Sequence, residues 1–238
     1  MSSSSVLQSS LITILVGPEE AEFTAHQDVL TKYLYFRGCL GGGFPEGQSK
    51  TIKMPEDDPT TFARVLEFIY FGTIPYNLDE KFLSPKFYHA ATRDEQKAWS
   101  KTVHTASRGL IKVYRLADKL CIESLMNASH DSCRRIHENY NIAVEQLPTM
   151  TENVPDSDKL RQFAVKQMAW YVKEFGWSRA KDELPDIWSK FMEKSSENAI
   201  ELFEAYTTLK AGKYSRRPAL WKRDKCQWHV HIDTPRCK

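Results

Sequence analysis

The chain has 238 residues, 41% of them hydrophobic, 12% aromatic and 27% charged, enough apolar material for one good core and a smaller second one and too much for a disordered chain. Its longest apolar run, 11–17, falls far short of the roughly 20 residues that a membrane-spanning helix needs. The net charge of +2 points to no partner, but its distribution does: from Lys210 onward nine basic residues face two acidic ones, a local excess of +7.

In chain order, the Ser-rich stretch 1–10 carries no Lys or Arg and reads as a floppy tail rather than a secretory signal. Leu11-Ile12-Thr13-Ile14-Leu15-Val16 is β-branched and ends at Gly17-Pro18, so a strand and turn are predicted, with Glu22-Phe23-Thr24-Ala25 returning as a second strand. Two short helical pieces follow at 27–32 and 33–40, stopped by Gly41-Gly42-Gly43. Thr51-Ile52-Lys53-Met54 alternates polar and apolar residues, as a half-buried strand does. Asp58-Pro59 is a helix start, the carboxylate capping free N–H groups and the proline losing nothing at the first position. Phe62, Val65, Leu66 and Ile69 then share one helix face, whose burial contributes about 6–12 kcal/mol as an upper figure. Gly72 ends this helix.

Residues 77–108 are polar and read as an insertion with one short helix at 95–99. A helical pattern resumes with Leu110, Val113, Tyr114, Ala117, Leu120 and Cys121, and continues after a break from Leu125 to Ile136. A polar stretch at 148–158 separates it from a helical set with Leu160, Phe163, Ala164, Gln167, Met168, Tyr171 and Phe175 on one face. Leu184, Ile187, Trp188 and Phe191 form another face. Ser195 or Ser196 caps a last helix with Ala199, Ile200, Phe203 and Tyr206. The predicted organisation is a tail at 1–10, a first domain at 11–126, a helical extension at 127–210 and a basic tail at 211–238.

The pieces of the first domain resemble the BTB/POZ family. Phe23-Thr24-Ala25-His26 with Val29-Leu30 resembles its F-x-A-H-x-x-x-L signature, and Tyr35-Phe36-Arg37 its Y-F-R/K helix. Ile52-x-Met54-Pro55-Glu56-Asp57-Asp58-Pro59-x-x-Phe62 resembles the strand and capped helix that follow. Leu66-x-x-Ile69-Tyr70-x-Gly72 resembles L-x-x-x-Y-T-G, and Ala117-Asp118-Lys119-Leu120-x-Ile122-x-x-Leu125 resembles A-D-K-Y-x-I-x-x-L. The wording at 44–59 is most similar to BTB proteins of filamentous fungi. Lys32-Tyr33 and the long link at 77–108 depart from the pattern. The short stretch before Leu11 bears against strand-exchanged dimerisation.

The resemblance implies an α+β fold, a small mixed sheet flanked by helices with an all-α extension. It implies a non-enzymatic protein-interaction module that oligomerises, homodimerisation included, or recruits partners. It also implies that His26 ties strand to helix rather than acting as a base. A hydrophobic-x-Glu motif in the loop at 44–46 resembles that by which some BTB adaptors meet a cullin-type ubiquitin-ligase scaffold, with Phe44 as apolar anchor and Glu46 fixing orientation. No G-x-S-x-G, P-loop, dinucleotide fingerprint or H-E-x-x-H motif occurs.

Five cysteines are present. Cys39, Cys121 and Cys133 read as reduced, buried thiols of a cytoplasmic or nuclear protein. Cys226-x-x-His229-x-His231 with Cys237 brings four soft and imidazole ligands into twelve residues, the complement of a tetrahedral structural zinc site, although the spacing matches no standard zinc finger. The alternative for this tail is packing of Trp221 and Trp228 on the helices. A second functional reading is a nuclear, transcription-related regulator whose basic residues (Lys213, Arg216, Arg217, Lys222, Arg223, Lys225) contact nucleic acid, with Tyr214 and Trp221 stacking.

Overall fold

The computed structural model of the chain describes residues 8–41, 43–74, 76, 78–79, 83, 90–138, 142, 146–183, 188–189, 191, 196–208, 225–232 and 234–237. Among these residues are three strands and ten α-helices, an α+β composition. No helix among them is long and apolar enough to cross a membrane. The chain divides into two compact units: residues 1–77, 112–129 and 231–235, and residues 78–111, 130–230 and 236–238.

In the first unit β1 (Leu11–Val16) and β2 (Ala21–His26) form an antiparallel hairpin, Leu11 opposite His26 and Val16 opposite Ala21. Gly17 turns it at φ +78°, where a Cβ would lie 3.1 Å from Pro59 Cγ. Of the stretch 1–10 expected as a floppy tail, Ser9 and Ser10 are held, Gln27 N–H donating to Ser10 O at 2.8 Å and Asp28 N–H to Ser9 Oγ at 3.2 Å, while 1–7 lie outside the described residues. Three short helices, α1 (Gln27–Leu30), α2 (Leu34–Gly41) and α3 (Pro45–Ser49), lead to β3 (Thr51–Met54). β3 pairs with β1 in parallel, Thr13 opposite Thr51, in the order β2-β1-β3. Strand alternation turns Ile12, Ile14, Val16, Ala25, Ile52 and Met54 into the core.

Helix α4 (Pro59–Phe71) starts as its sequence demands. The Asp58 carboxylate accepts the Thr61 hydroxyl at 2.6 Å and the Thr61 N–H at 3.3 Å. Phe62, Val65 and Ile69 are buried and Leu66 is half-buried. The Phe62 ring meets Phe23 edge-on at 5.1 Å. Gly72, at φ +65°, ends the helix by donating its N–H to Phe68 O.

The next helix departs from expectation. In place of a short piece at 95–99, α5 runs unbroken from Arg93 to Lys119. Thr92 and Glu95 form a reciprocal box, Thr92 N–H donating to Glu95 Oε2 at 2.8 Å and Glu95 N–H to Thr92 Oγ1 at 3.3 Å. Val103, Ala106 and Leu110 carry a buried stripe through the supposed polar stretch. α5 ends where Cys121, at φ +54°, donates its N–H to Asp118 O and Ile122 donates to Ala117 O. That left-handed position leaves Cys121 exposed and Cys39 is only half-buried; of the three thiols expected inside, Cys133 alone is buried. Within the first unit Lys119 Nζ lies 2.7 Å from Asp57 Oδ2. At the start of α6 (Glu123–His137) the nearly buried Glu123 carboxylate accepts the N–H groups of Ile232, at 2.8 Å, and Thr234, at 3.2 Å, together with the Thr234 hydroxyl.

The second unit is helical: α7 (Leu147–Thr151), α8 (Lys159–Phe175), α9 (Trp177–Glu183) and α10 (Ser196–Thr208). α7 occupies the supposed separator because Leu147 and Met150 are buried one turn apart. α8, capped by Asp158, is buried on nearly every side from Leu160 to Tyr171, whereas Phe175 is exposed. Trp188 and Phe191 are buried as expected; Leu184, Ile187 and Ser195 lie outside the described residues. The expected face of α10 is turned outward. Ile200 and Phe203 are exposed, at 58% and 67%, while Asn198, Leu202 and Ala205 are buried. The cause is Arg161, buried on α8, whose guanidinium donates to Asn198 Oδ1 at 2.8 Å, Glu201 Oε2 at 2.6 Å and Thr151 O at 2.9 Å. A buried guanidinium takes the polar face of α10 in preference to its apolar one.

Candidate metal centre

Residues 225–228 form a 3-10 turn that presents Cys226, and the chain then folds back on itself. Ligand atoms of Cys226, His231 and Cys237 all lie within 4.8 Å of one another. A tetrahedral ion with sulfur at about 2.3 Å and nitrogen at about 2.0–2.1 Å spaces its ligands roughly 3.3–3.8 Å apart. The three therefore need to close by no more than about 1.5 Å to hold one ion. The Cys237 N–H donates to Cys226 Sγ at 3.2 Å. Local desolvation and the nearby Cys226 sulfur push the Cys237 thiol above its ordinary pKa. A divalent cation would reverse that preference by favouring both thiolates.

His229, the fourth residue of the sequence motif, is not among the three converging ligands. Its Nδ1 faces Cys237 Sγ at 3.0 Å, and its Nε2 stands 3.1 Å from Asp131 Oδ1 at a bent angle. His231 Nδ1 lies 3.3 Å from Thr234 Oγ1.

Trp228, inside the Cys/His stretch, packs as the alternative reading expected. It is 1% exposed, edge-on to Phe163 at 5.7 Å and to His130 at 5.9 Å, with Lys166 Nζ 4.8 Å from its ring centre. His130 Nδ1 donates to the Trp228 carbonyl at 2.9 Å, which puts the ring proton on Nδ1. Complete burial holds the His130 pKa down at about 3, so this ring is neutral. Neither His130 nor Asp131 is signalled by the Cys/His motif, because both lie about a hundred residues upstream of it. Trp221, Tyr214 and the basic residues Lys210, Lys213, Arg216, Arg217, Lys222 and Arg223 lie outside the described residues.

The loop at 44–46 belongs to the first unit. Phe44 precedes the proline-started α3 and is 56% exposed, while Glu46 is half-buried. The Phe44 carbonyl accepts the Gly47 N–H at 3.0 Å. Gly47 is required there, since a Cβ would fall 2.8 Å from Leu40 O.

One buried group has the outline of a nucleophile and base. Ser107 Oγ lies 2.8 Å from His137 Nε2. Ser107 donates its own proton to Gln146 Oε1, however, so His137 must donate to Ser107 and cannot take its proton. Both side chains are fully buried, and the group is a satisfied packing network.

No protein-family model matches the chain, and no curated protein matches it.

Proposed function

We propose that the chain is a non-enzymatic protein-interaction module of the BTB/POZ type and an adaptor that meets a cullin-type ubiquitin-ligase scaffold through Phe44 and Glu46. The observation that carries this reading is the outward Phe44 side chain, an apolar anchor on a loop braced by Gly47 and the Pro45 turn. The resemblance of 23–74 and 117–125 supports it, as does the pairing of two of its motif residues, His26 and Tyr70. Pull-down with the scaffold compares wild type with Phe44→Ala and Glu46→Ala. Both variants should recover at least tenfold less scaffold, about 1.4 kcal/mol or more. Equal recovery of all three sinks the motif's role. Light scattering of the purified chain tests homodimerisation.

The ion suited to two thiolates and imidazole in this arrangement is zinc, held as a structural ion. Metal analysis of the untagged chain should find about one zinc per chain. A metal-free protein that takes up no added zinc ends this reading.

A further inference from the structure

His229 presents two nitrogens to two different partners. Nδ1 faces the sulfur of Cys237, and Nε2 faces the carboxylate of Asp131 on α6. A histidine that ligates a metal through one nitrogen commonly donates its other N–H to a carboxylate, which fixes tautomer and ring orientation. Asp131 is itself held in place, because Arg134 Nη1 donates to the same Oδ1 at 2.9 Å.

We propose that His229 ligates the ion through Nδ1 as a fourth ligand beside Cys226, His231 and Cys237, that Asp131 is the outer-shell carboxylate orienting it, and that the ion thereby clamps Trp228 in its slot. The inference rests on the structural-zinc reading above.

The charges close. Two thiolates neutralise a divalent ion, and Arg134 balances Asp131. On loading, the Cys226 and Cys237 thiols each form a metal–sulfur bond and release one proton to solvent, and nothing is oxidised or reduced. His229 enters with Nε2–H toward Asp131 and its Nδ1 lone pair toward the ion.

The clamp follows from chain order. Cys226 and His229 flank Trp228, so an ion held by both ties down the backbone on either side of that indole. Independently of the ion, Trp228 meets Phe163, His130, Lys166 and Arg134, and its carbonyl accepts from His130.

Three measurements on the full chain test the proposal. X-ray absorption of the zinc-loaded wild type should show two sulfur and two imidazole ligands. Titration with cobalt(II), read by its tetrahedral ligand-field bands, should show about tenfold or greater loss of affinity in Asp131→Ala and His229→Gln, and a smaller loss in Asp131→Asn. Hydrogen exchange across 226–232 should slow on zinc loading. Two sulfurs with one imidazole, unchanged affinity in both the Asp131 and His229 variants, or exchange indifferent to zinc each overturns this inference while leaving a structural zinc in place. A wild type that binds neither zinc nor cobalt overturns both. The absorption measurement needs no variant, so misfolding of Asp131→Ala cannot obscure the outcome.

Discussion

The Tyr70 hydroxyl accepts the backbone N–H of His26 at 2.9 Å and stands 2.8 Å from the Nδ1 of the same residue, joining the end of β2 to the last turn of α4. The contacts are satisfied when the hydroxyl donates to Nδ1, which leaves the imidazole proton on Nε2. Tyr70→Phe removes both bonds and leaves the ring volume unchanged. It should cost about 1–2 kcal/mol, read as a lower urea midpoint at unchanged slope.

Stability should fall with acid because of His130. The unfolded ring takes its proton near 6.5, and the folded ring only at about 3. The folded state therefore binds fewer protons between those values, and stability is complete above pH 6.5 and lost as the pH falls through that window. By pH 5 the loss is about 2 kcal/mol. Denaturant unfolding at pH 7 and pH 5, with chelator present so that no metal competes, should show it. His130→Asn, which keeps an N–H donor but does not titrate, should lose most of that dependence.

The cysteines should react in an order set by burial. The Cys133 thiol is fully buried and pushed up to about 12 by desolvation, whereas Cys121 is exposed at its left-handed turn. Brief maleimide treatment of metal-free protein followed by peptide mapping should modify the exposed Cys121 and Cys237 first and Cys133 last. Rapid labelling of Cys133 in native protein would contradict the burial described for α6.

Gly47→Ala should destabilise the first unit by about 1–3 kcal/mol, since its Cβ meets the Leu40 carbonyl and forces the backbone apart. If the loop at 44–46 binds a partner, the same change should weaken that binding without touching Phe44 or Glu46.

Arg161→Met should cost about 3 kcal/mol or more. It strips Asn198, Glu201 and the Thr151 carbonyl of a shared donor within the second unit. Thermal unfolding of the full chain, followed by circular dichroism, measures it.

Features set by neighbouring residues were legible in the sequence. The Gly17 turn, the Asp58 cap with Pro59 and the face of Phe62, Val65 and Ile69 all depend on spacings of a few positions. The Thr92-x-x-Glu95 box was legible too as the start of α5, but the buried stripe of Val103, Ala106 and Leu110 that carries the helix onward is spaced among polar residues. The orientation of α10 was not, because it depends on Arg161, some forty residues earlier and outwardly one more charged side chain. The candidate centre divides the same way. The Cys and His spacing announces ligands, but the carboxylate facing His229 belongs to a helix with no local mark of that role.

The Glu123 carboxylate takes its backbone donors from Ile232 and Thr234, 109 and 111 positions further along. A fragment cut at Ser129 would keep the hairpin, β3 and α4, yet lose both backbone donors and the Thr234 hydroxyl that meet that carboxylate. The unit that carries the sheet therefore includes residues 231–235, from the far end of the chain. Truncation at the basic tail should register in the unit that carries the sheet, so loss of binding after such a deletion would not by itself place the binding surface in the tail.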